Sequence, residues 1–147
     1  MIDSLSYGWL HDAVSWLLMP SLVLLLIGCA VALVEAGIAA GERFGGLARL
    51  RAAGDLEQVQ RIARHRLERA DLLARIPPML GLMATIIPLG PGLAALGQGN
   101  PAELASAVTV AFDATVLGLV AGIGGLVIGK LRRRWYEETL DAMEMPA

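Results

Sequence analysis

Positive charge is missing from most of this chain. All twelve Lys and Arg residues lie in two blocks, residues 43–75 and 130–134, and none lies in residues 1–42 or 76–129. Cytoplasmic loops of membrane proteins retain Lys and Arg. Three membrane crossings would place both basic blocks on one side, so the charge pattern predicts an external N-terminus and a cytoplasmic C-terminus.

Cysteine and histidine are scarce as well. The single cysteine, Cys29, excludes an internal disulfide and a cysteine metal cluster. The two histidines, His11 and His65, are expected on opposite sides of the membrane, which excludes a histidine pair for metal binding or proton relay. No Walker loop and no converging Ser-His-Asp set is present. We therefore predict no enzymatic activity, no cofactor and no metal site.

Apolar residues are abundant instead. They make up 56% of the 147 residues, and the mean hydropathy is +0.61. An ordinary soluble domain is only about 45 to 50% apolar. The net charge of -2 gives no reason to expect a nucleic-acid partner, whereas the two basic blocks favour contact with anionic membrane lipid. The composition predicts a multi-pass protein of the cell (cytoplasmic, or inner) membrane.

Three long apolar stretches organise the chain, and each exceeds the roughly 20 residues that a helix needs to cross a bilayer. We predict an all-α integral membrane protein with three transmembrane helices. Asp55 is the expected N-cap of a helix from Leu56 to Arg75, and the tail is expected to continue the third span. The predicted segments are an external N-terminal segment (1–12), a first membrane helix (13–40), a cytoplasmic loop and helix (41–75), a second membrane helix (76–96), an external turn (97–103), a third membrane helix (104–129) and a cytoplasmic tail (130–147).

Leu26 to Cys29 resembles a bacterial lipoprotein cleavage site, and cleavage there would remove the first membrane helix. Two observations argue against it. An export signal begins with a positive region, which this chain lacks, and the apolar run continues to Val34. Cys29 is therefore expected to be a thiol buried within a helix.

The second and third apolar stretches each carry a stripe of small residues, which allows close approach of helices in lipid. Each stripe has one hydroxyl group near its middle. The two hydroxyls either line a shared polar path or bond the carbonyl four residues back in their own helix, at Gly81 and Ala111. Pro88 deprives the Ala84 carbonyl of its helix partner and is expected to bend the second helix. The stripes are Pro78, Gly81, Thr85, Pro88 and Gly92 on the second stretch, and Ala111, Thr115, Gly118, Gly122, Gly125 and Gly129 on the third.

Asp113 is the only ionisable residue in the third span. A carboxylate at the membrane centre costs at least about 2.5 to 3.5 kcal/mol, so Asp113 is expected to face protein or water. It lies about 200° around the helix from Thr115, and Thr109 shares its face. Two roles remain open: a structural carboxyl group hydrogen-bonded between helices, and a group in an ion path.

Residues 75–85 (Arg-Ile-Pro-Pro-Met-Leu-Gly-Leu-Met-Ala-Thr) and residues 111–119 (Ala-Phe-Asp-Ala-Thr-Val-Leu-Gly-Leu) resemble the second and third pore-helix signatures of the MotA/TolQ/ExbB proton-channel family. The resemblance implies that the second and third helices line a central pore in an oligomeric ring. It assigns the ion pathway to Thr85 and Thr115; Asp113 is a further candidate because of its charge within the span. The spacing of the two stripes assigns packing of the pore helices to Gly81, Pro88, Ala111, Gly118 and Gly122.

The family resemblance also implies an assembly. In that family, five such subunits surround two transmembrane helices of a smaller partner of the ExbD/TolR/MotB type, which supplies the proton-carrying Asp. The chain is then expected to form a homopentameric stator ring around two copies of a single-span partner, driven by the proton motive force. Na+ is the alternative ion. The alternative function is a non-conducting helical scaffold or assembly subunit of a membrane complex.

Some positions depart from the family pattern. Ala84 replaces a common Gly before the first threonine, and Val110 stands where many members have a Glu. Pro88 and Pro91 are unusual there. The cytoplasmic segment at residues 41–75 is too short for the large region by which a MotA-type stator grips the flagellar rotor. The resemblance therefore favours a minimal member of the ExbB/TolQ type.

Overall fold

The computed structural model describes Trp9, residues 12–46 and residues 56–144. Within these ranges the chain is almost entirely helical and contains no strand. Three helical stretches are long and apolar enough to cross a membrane. The structure thus confirms an all-α protein with three membrane-spanning helices. The expected cap at Asp55 lies outside the described residues.

The helices are longer than the apolar stretches within them. In the described part of the chain, residues 12–16 are helical and are followed by α1 (Leu18–Gly41), a π-helical segment (Glu42–Gly46), α2 (Leu56–Gly97) and α3 (Pro101–Glu144). The charged segment before the second apolar stretch and that stretch itself form the single helix α2, which continues through four prolines. Backbone amides and carbonyls have no water partners in lipid, and this favours unbroken helix. Similarly, α3 runs from the apolar stretch into the basic tail.

A tight turn joins α2 to α3. The amide of Asn100 donates to the Ala95 carbonyl at 3.0 Å, and the Asn100 side chain donates to Glu103 at 3.2 Å. Gly99 has a φ of +84°, a conformation that glycine adopts without steric cost. The short connection makes α2 and α3 an antiparallel hairpin. We call this the turn end of the bundle.

The helix bundle has a thin core made mainly of small side chains. Leu25 of α1, Ala84 of α2 and Ala114 of α3 form one cluster, so α1 packs across the hairpin. Large apolar side chains point outward instead, including Leu33 at 75% and Phe112 at 65% exposure. In water such a surface would mark a binding site or an aggregation risk. In a membrane it is the expected lipid-facing and subunit-facing surface.

Candidate ion-conducting site

Thr85 of α2 and Thr115 of α3 lie against each other at the boundary between the two helices. Their hydroxyl groups are hydrogen-bonded to one another. Each hydroxyl also contacts the carbonyl four residues back, at 2.8 Å from Gly81 O to Thr85 and 3.0 Å from Ala111 O to Thr115. The Thr85 hydroxyl lies 3.1 Å from Ala111 O as well. Each hydroxyl therefore bonds the carbonyl four residues back, as considered from the sequence, and also meets the other hydroxyl.

The hydroxyl groups of the threonine pair can exchange hydrogen-bond partners across the boundary between α2 and α3. A hydroxyl group has one hydrogen to donate and two lone pairs that accept, so the contacts of Thr85 and Thr115 are alternatives shared between two hydrogens. Both side chains are half-buried and so remain partly accessible. Their hydrogen-bond partners among the described residues are hydroxyl and carbonyl oxygens only. A proton carried past the pair needs an acidic group from elsewhere.

The two stripes of small residues face each other within one chain and bring the threonines together. A Cβ on Gly81 would lie 2.9 Å from the Ala114 carbonyl oxygen, and one on Gly118 would lie 2.6 Å from the Pro77 carbonyl oxygen. A Cβ on Gly122 would clash with the Pro78 ring. Glycine is thus required by close backbone approach at these positions, as expected for helices packed in lipid.

The other predicted packing residues also lie on this α2–α3 interface. Ala111, whose carbonyl oxygen contacts both threonine hydroxyls, is 1% exposed. Pro88 is half-buried on the same stripe as Thr85. It has no amide hydrogen, so the carbonyl of Ala84 lacks its usual helix donor. Ala84 itself is fully buried against α1 and α3.

The structure does not bring Asp113 to the threonine pair. Its side chain is exposed on the far side of α3 and makes no hydrogen bond or ion pair with any described residue. Its neighbour on that face, Thr109, is also exposed and donates to the Ala105 carbonyl at 2.9 Å. Among the described residues, Asp113 therefore has no protein partner that would offset its cost in lipid.

A second polar site lies at the other end of the bundle, which we call the basic end. Arg132 of α3 is completely buried there. Its Nη1 donates to Glu35 at 2.6 Å and its Nε donates to Glu42 at 3.1 Å. Both carboxylates are also buried. We call this set the buried ion cluster; its members are Glu35, Glu42, Arg66, Arg69, Arg132 and Tyr136.

The buried ion cluster joins α1, the π-helical segment, α2 and α3. Arg66 of α2 donates to Glu42 and to the Tyr136 hydroxyl at 3.4 Å. Arg69 of α2 lies 3.8 Å from Glu35. Arg132 Nη2 is buried and has no hydrogen-bond partner among the described residues. Because desolvation offsets much of the attraction in buried ion pairs, the cluster fixes the relative position of the helices more than it adds stability.

The sequence analysis did not identify this cluster as a site. Part of it could have been recognised from residue spacing. Arg66 and Arg69 are three residues apart, and Arg132 and Tyr136 are four apart, so each pair shares a helix face. Arg132 is 17 residues from Thr115, or about 25 Å along α3. The cluster and the threonine pair are thus separate sites.

The described residues contain no group of three or more His, Cys, Asp or Glu side chains placed to hold a metal ion.

The fold defines a membrane protein with three spanning helices. Residues 46–145 match the MotA/TolQ/ExbB proton channel family. This match covers more than half of the chain, includes both threonines and confirms the resemblance seen in the two motifs. The chain belongs to this family, which is a family of channels rather than enzymes. No curated protein and no solved structure matched it individually.

Proposed function

We propose that the chain is a subunit of a motor driven by the proton motive force. Five copies form a ring in the cytoplasmic membrane, with α2 and α3 of each copy lining a central pore. The ring surrounds the transmembrane helices of two copies of a single-span partner of the ExbD/TolR/MotB type. The observation that carries the proposal is the hydrogen-bonded pair of Thr85 and Thr115, the two residues that the resemblance to the family assigns to the pore.

The charge pattern supports an orientation for this ring. With the basic end in the cytoplasm, α2 runs outward and α3 runs inward, and the turn end lies outside. The threonine pair then lies inside the membrane, between the external turn and the cytoplasmic basic end. A proton that enters from outside would reach the pair before the cytoplasm.

The chemistry of the threonine pair supports the need for a partner. A hydroxyl group donates and accepts hydrogen bonds but is not a group that titrates near neutral pH. Asp113 lies on another face of α3. The proton-carrying acid is therefore supplied by the partner, and the ring contributes the hydroxyl groups that it meets. The same oxygen atoms can contact Na+, so a test of the ion must include a Na+ gradient.

The test removes both hydroxyl groups. A complex purified from native membranes through a tag on this chain is reconstituted in vesicles, and proton flux is measured under an imposed gradient. Loss of a buried hydrogen-bonding group costs about 1 to 3 kcal/mol, so Thr85→Ala with Thr115→Ala is expected to lower flux by about 5- to 150-fold. The control variant Thr85→Ser with Thr115→Ser keeps both hydroxyls and is expected to retain flux.

The same preparation distinguishes the motor from a scaffold. Unchanged proton and Na+ flux in the double Ala variant, with the complex intact, would contradict the motor proposal. The mass of the purified complex gives the stoichiometry, and five copies of this chain with two of the partner are expected. A complex that conducts nothing and lacks a single-span partner would be a scaffold.

A further inference from the structure

Asp113 lies on the face of α3 that points away from its own α2. Ala111 is buried against α2, and Asp113 follows it by two residues, which places it about 200° around the helix. Its carboxyl group is exposed and has no partner among the described residues. In a ring whose threonine pairs face the central axis, this side of α3 faces either lipid or the next copy of the chain. The cost of a carboxyl group in lipid favours the next copy.

The corresponding face of α2 offers a hydrogen-bond acceptor. Gly90 lies about 180° around α2 from Gly81, which is buried against α3. Gly90 is exposed, and a Cβ built on it would meet nothing within 4 Å. Pro91 follows and has no amide hydrogen, so the Ile87 carbonyl lacks its usual helix donor. That carbonyl points toward residues 90 and 91, and Gly90 has no side chain to cover it.

The Asp113 carboxyl group and the Ile87 carbonyl group lie at the same depth in the bundle. The hydrogen bond between Thr85 and Thr115 fixes the register of α2 and α3. On α3, Asp113 lies two residues from Thr115 toward the turn end, which is about 3 Å along the helix. On α2, Ile87 lies two residues from Thr85 toward the same end, which is again about 3 Å. In a ring whose axis is perpendicular to the membrane, equivalent residues of every copy share one depth. Asp113 of one copy is then level with Ile87 of the next.

We propose that Asp113 is a subunit-interface residue whose carboxyl group donates a hydrogen bond to the Ile87 carbonyl of the adjacent copy. The exposed face of α3 around Asp113 packs on the exposed face of α2 around Gly90. Helices α2 and α3 thus alternate around the ring, each α3 contacting its own α2 on one side and the neighbouring α2 on the other. The inference rests on the proposed ring, in which the threonine pair faces the axis.

The first test measures the temperature at which the purified complex dissociates, followed by the subunit mass. Asp113→Leu is expected to lower this temperature, because the Ile87 carbonyl loses its donor. Asp113→Asn keeps a donor and is expected to leave it near the native value. Pro91→Ala returns an amide donor to Ile87 within its own helix, so the effect of Asp113→Leu should be smaller in the Pro91→Ala background. Pro88→Ala is the matched control, since it affects the carbonyl of the buried Ala84 and should leave the Asp113→Leu effect unchanged.

The second test is direct cross-linking. In a Cys29→Ser background, Asp113→Cys with Gly90→Cys is expected to give disulfide-linked dimers on mild oxidation, because the two positions meet only between copies. The control pair combines Gly90→Cys with Leu33→Cys, an exposed residue of α1, and is expected to give none. Dimers from the control pair at the same yield would contradict the proposed face.

The outcomes separate this inference from the proposed function. An unchanged dissociation temperature in Asp113→Leu would overturn the interface role. Loss of flux in Asp113→Asn, with the dissociation temperature of Asp113→Leu unchanged, would place Asp113 in the ion path instead. The converse result is also distinguishable. The motor proposal would be overturned if flux survived the loss of both threonines. The interface would still stand if Pro91→Ala reduced the effect of Asp113→Leu on the dissociation temperature and the cross-link formed.

Discussion

Arg132 is the residue on which the packing of the basic end depends. It has no exposed surface, and its guanidinium group bonds two carboxylates, Glu35 and Glu42, from the segments before α2. Without Arg132, the buried Glu42 would keep only Arg66 and the buried Glu35 only the exposed Arg69, and a buried carboxylate that loses its main partner costs more than the pair contributes. The position therefore tolerates neither a neutral side chain nor one that reaches only one carboxylate.

Arg132→Met is accordingly expected to lower the free energy of unfolding by about 3 to 5 kcal/mol. Arg134→Met is the matched control, because the Arg134–Glu138 pair at 2.9 Å is exposed and such pairs contribute about 0 to 1 kcal/mol. Denaturant unfolding in detergent micelles measures both. Adding Glu35→Gln and Glu42→Gln to Arg132→Met should recover part of the loss, and a loss in Arg134→Met as large as that in Arg132→Met would contradict the account.

At the scale of single residues, the sequence singled out the threonine pair but not the ion cluster. Thr85 and Thr115 stood out because each is the one hydroxyl on a stripe of small residues, and the structure places them in contact. The ion cluster could not be predicted in the same way. Its members come from distant parts of the chain, and helix periodicity relates only residues on one helix. The charges that carried the topology argument thus include one fully buried arginine, Arg132.

At the scale of helices, the contact between α2 and α3 depends on glycines that have backbone atoms directly opposite them. A Cβ at Gly118 would lie 2.6 Å from the Pro77 carbonyl oxygen. A backbone carbonyl cannot rotate away as a side chain can, so the helices must separate. The threonine pair, one turn along the same stripe, would separate with them.

Gly118→Ala is therefore expected to destabilise the hairpin by about 1 to 3 kcal/mol, the usual cost of overpacking. Gly124→Ala is the matched control on the same helix, because a Cβ there would meet nothing within 4 Å. It is expected to be neutral or to stabilise by up to about 1 kcal/mol, since Ala favours helix over Gly. Thermal unfolding in detergent compares the two, and equal loss of stability in both variants would show that the close contact is not the cause.

The small-residue stripes show what a sequence pattern can and cannot establish about helices. Spacings of three and four define one face of a helix, and the glycines of that face do lie at a close helix contact. Spacing does not identify which helix the face meets, and the structure assigns it to the other arm of the same hairpin. Proline is common at the first position of a helix, so the sequence is compatible with a helix that starts at Pro77 or Pro78. In the structure the charged segment before them is helical too, and α2 begins at Leu56.

At the scale of the whole molecule, the topology and the family motifs agree although they rest on different residues. The two basic blocks predict that α2 runs outward and α3 inward. The motifs at residues 75–85 and 111–119 lie on α2 and α3 within the residues that match the family, and the resemblance implies the same directions for these two helices. Subunit number cannot be derived from one chain, because it depends on the angle at which copies meet. The exposed face around Asp113 and Gly90 is where that angle is determined.

The orientation gives a prediction that tests the molecule as a whole. In a Cys29→Ser background, Gln98→Cys marks the turn end and Glu138→Cys marks the basic end, and both native side chains are exposed. A membrane-impermeant maleimide applied to spheroplasts is expected to label Cys at position 98, whereas position 138 should react only after the membrane is disrupted. The reverse pattern would overturn the orientation while leaving the hairpin and its threonine pair intact. Labelling of both positions from outside would contradict the assignment of the two ends to opposite sides, because α3 alone connects them and spans the membrane once.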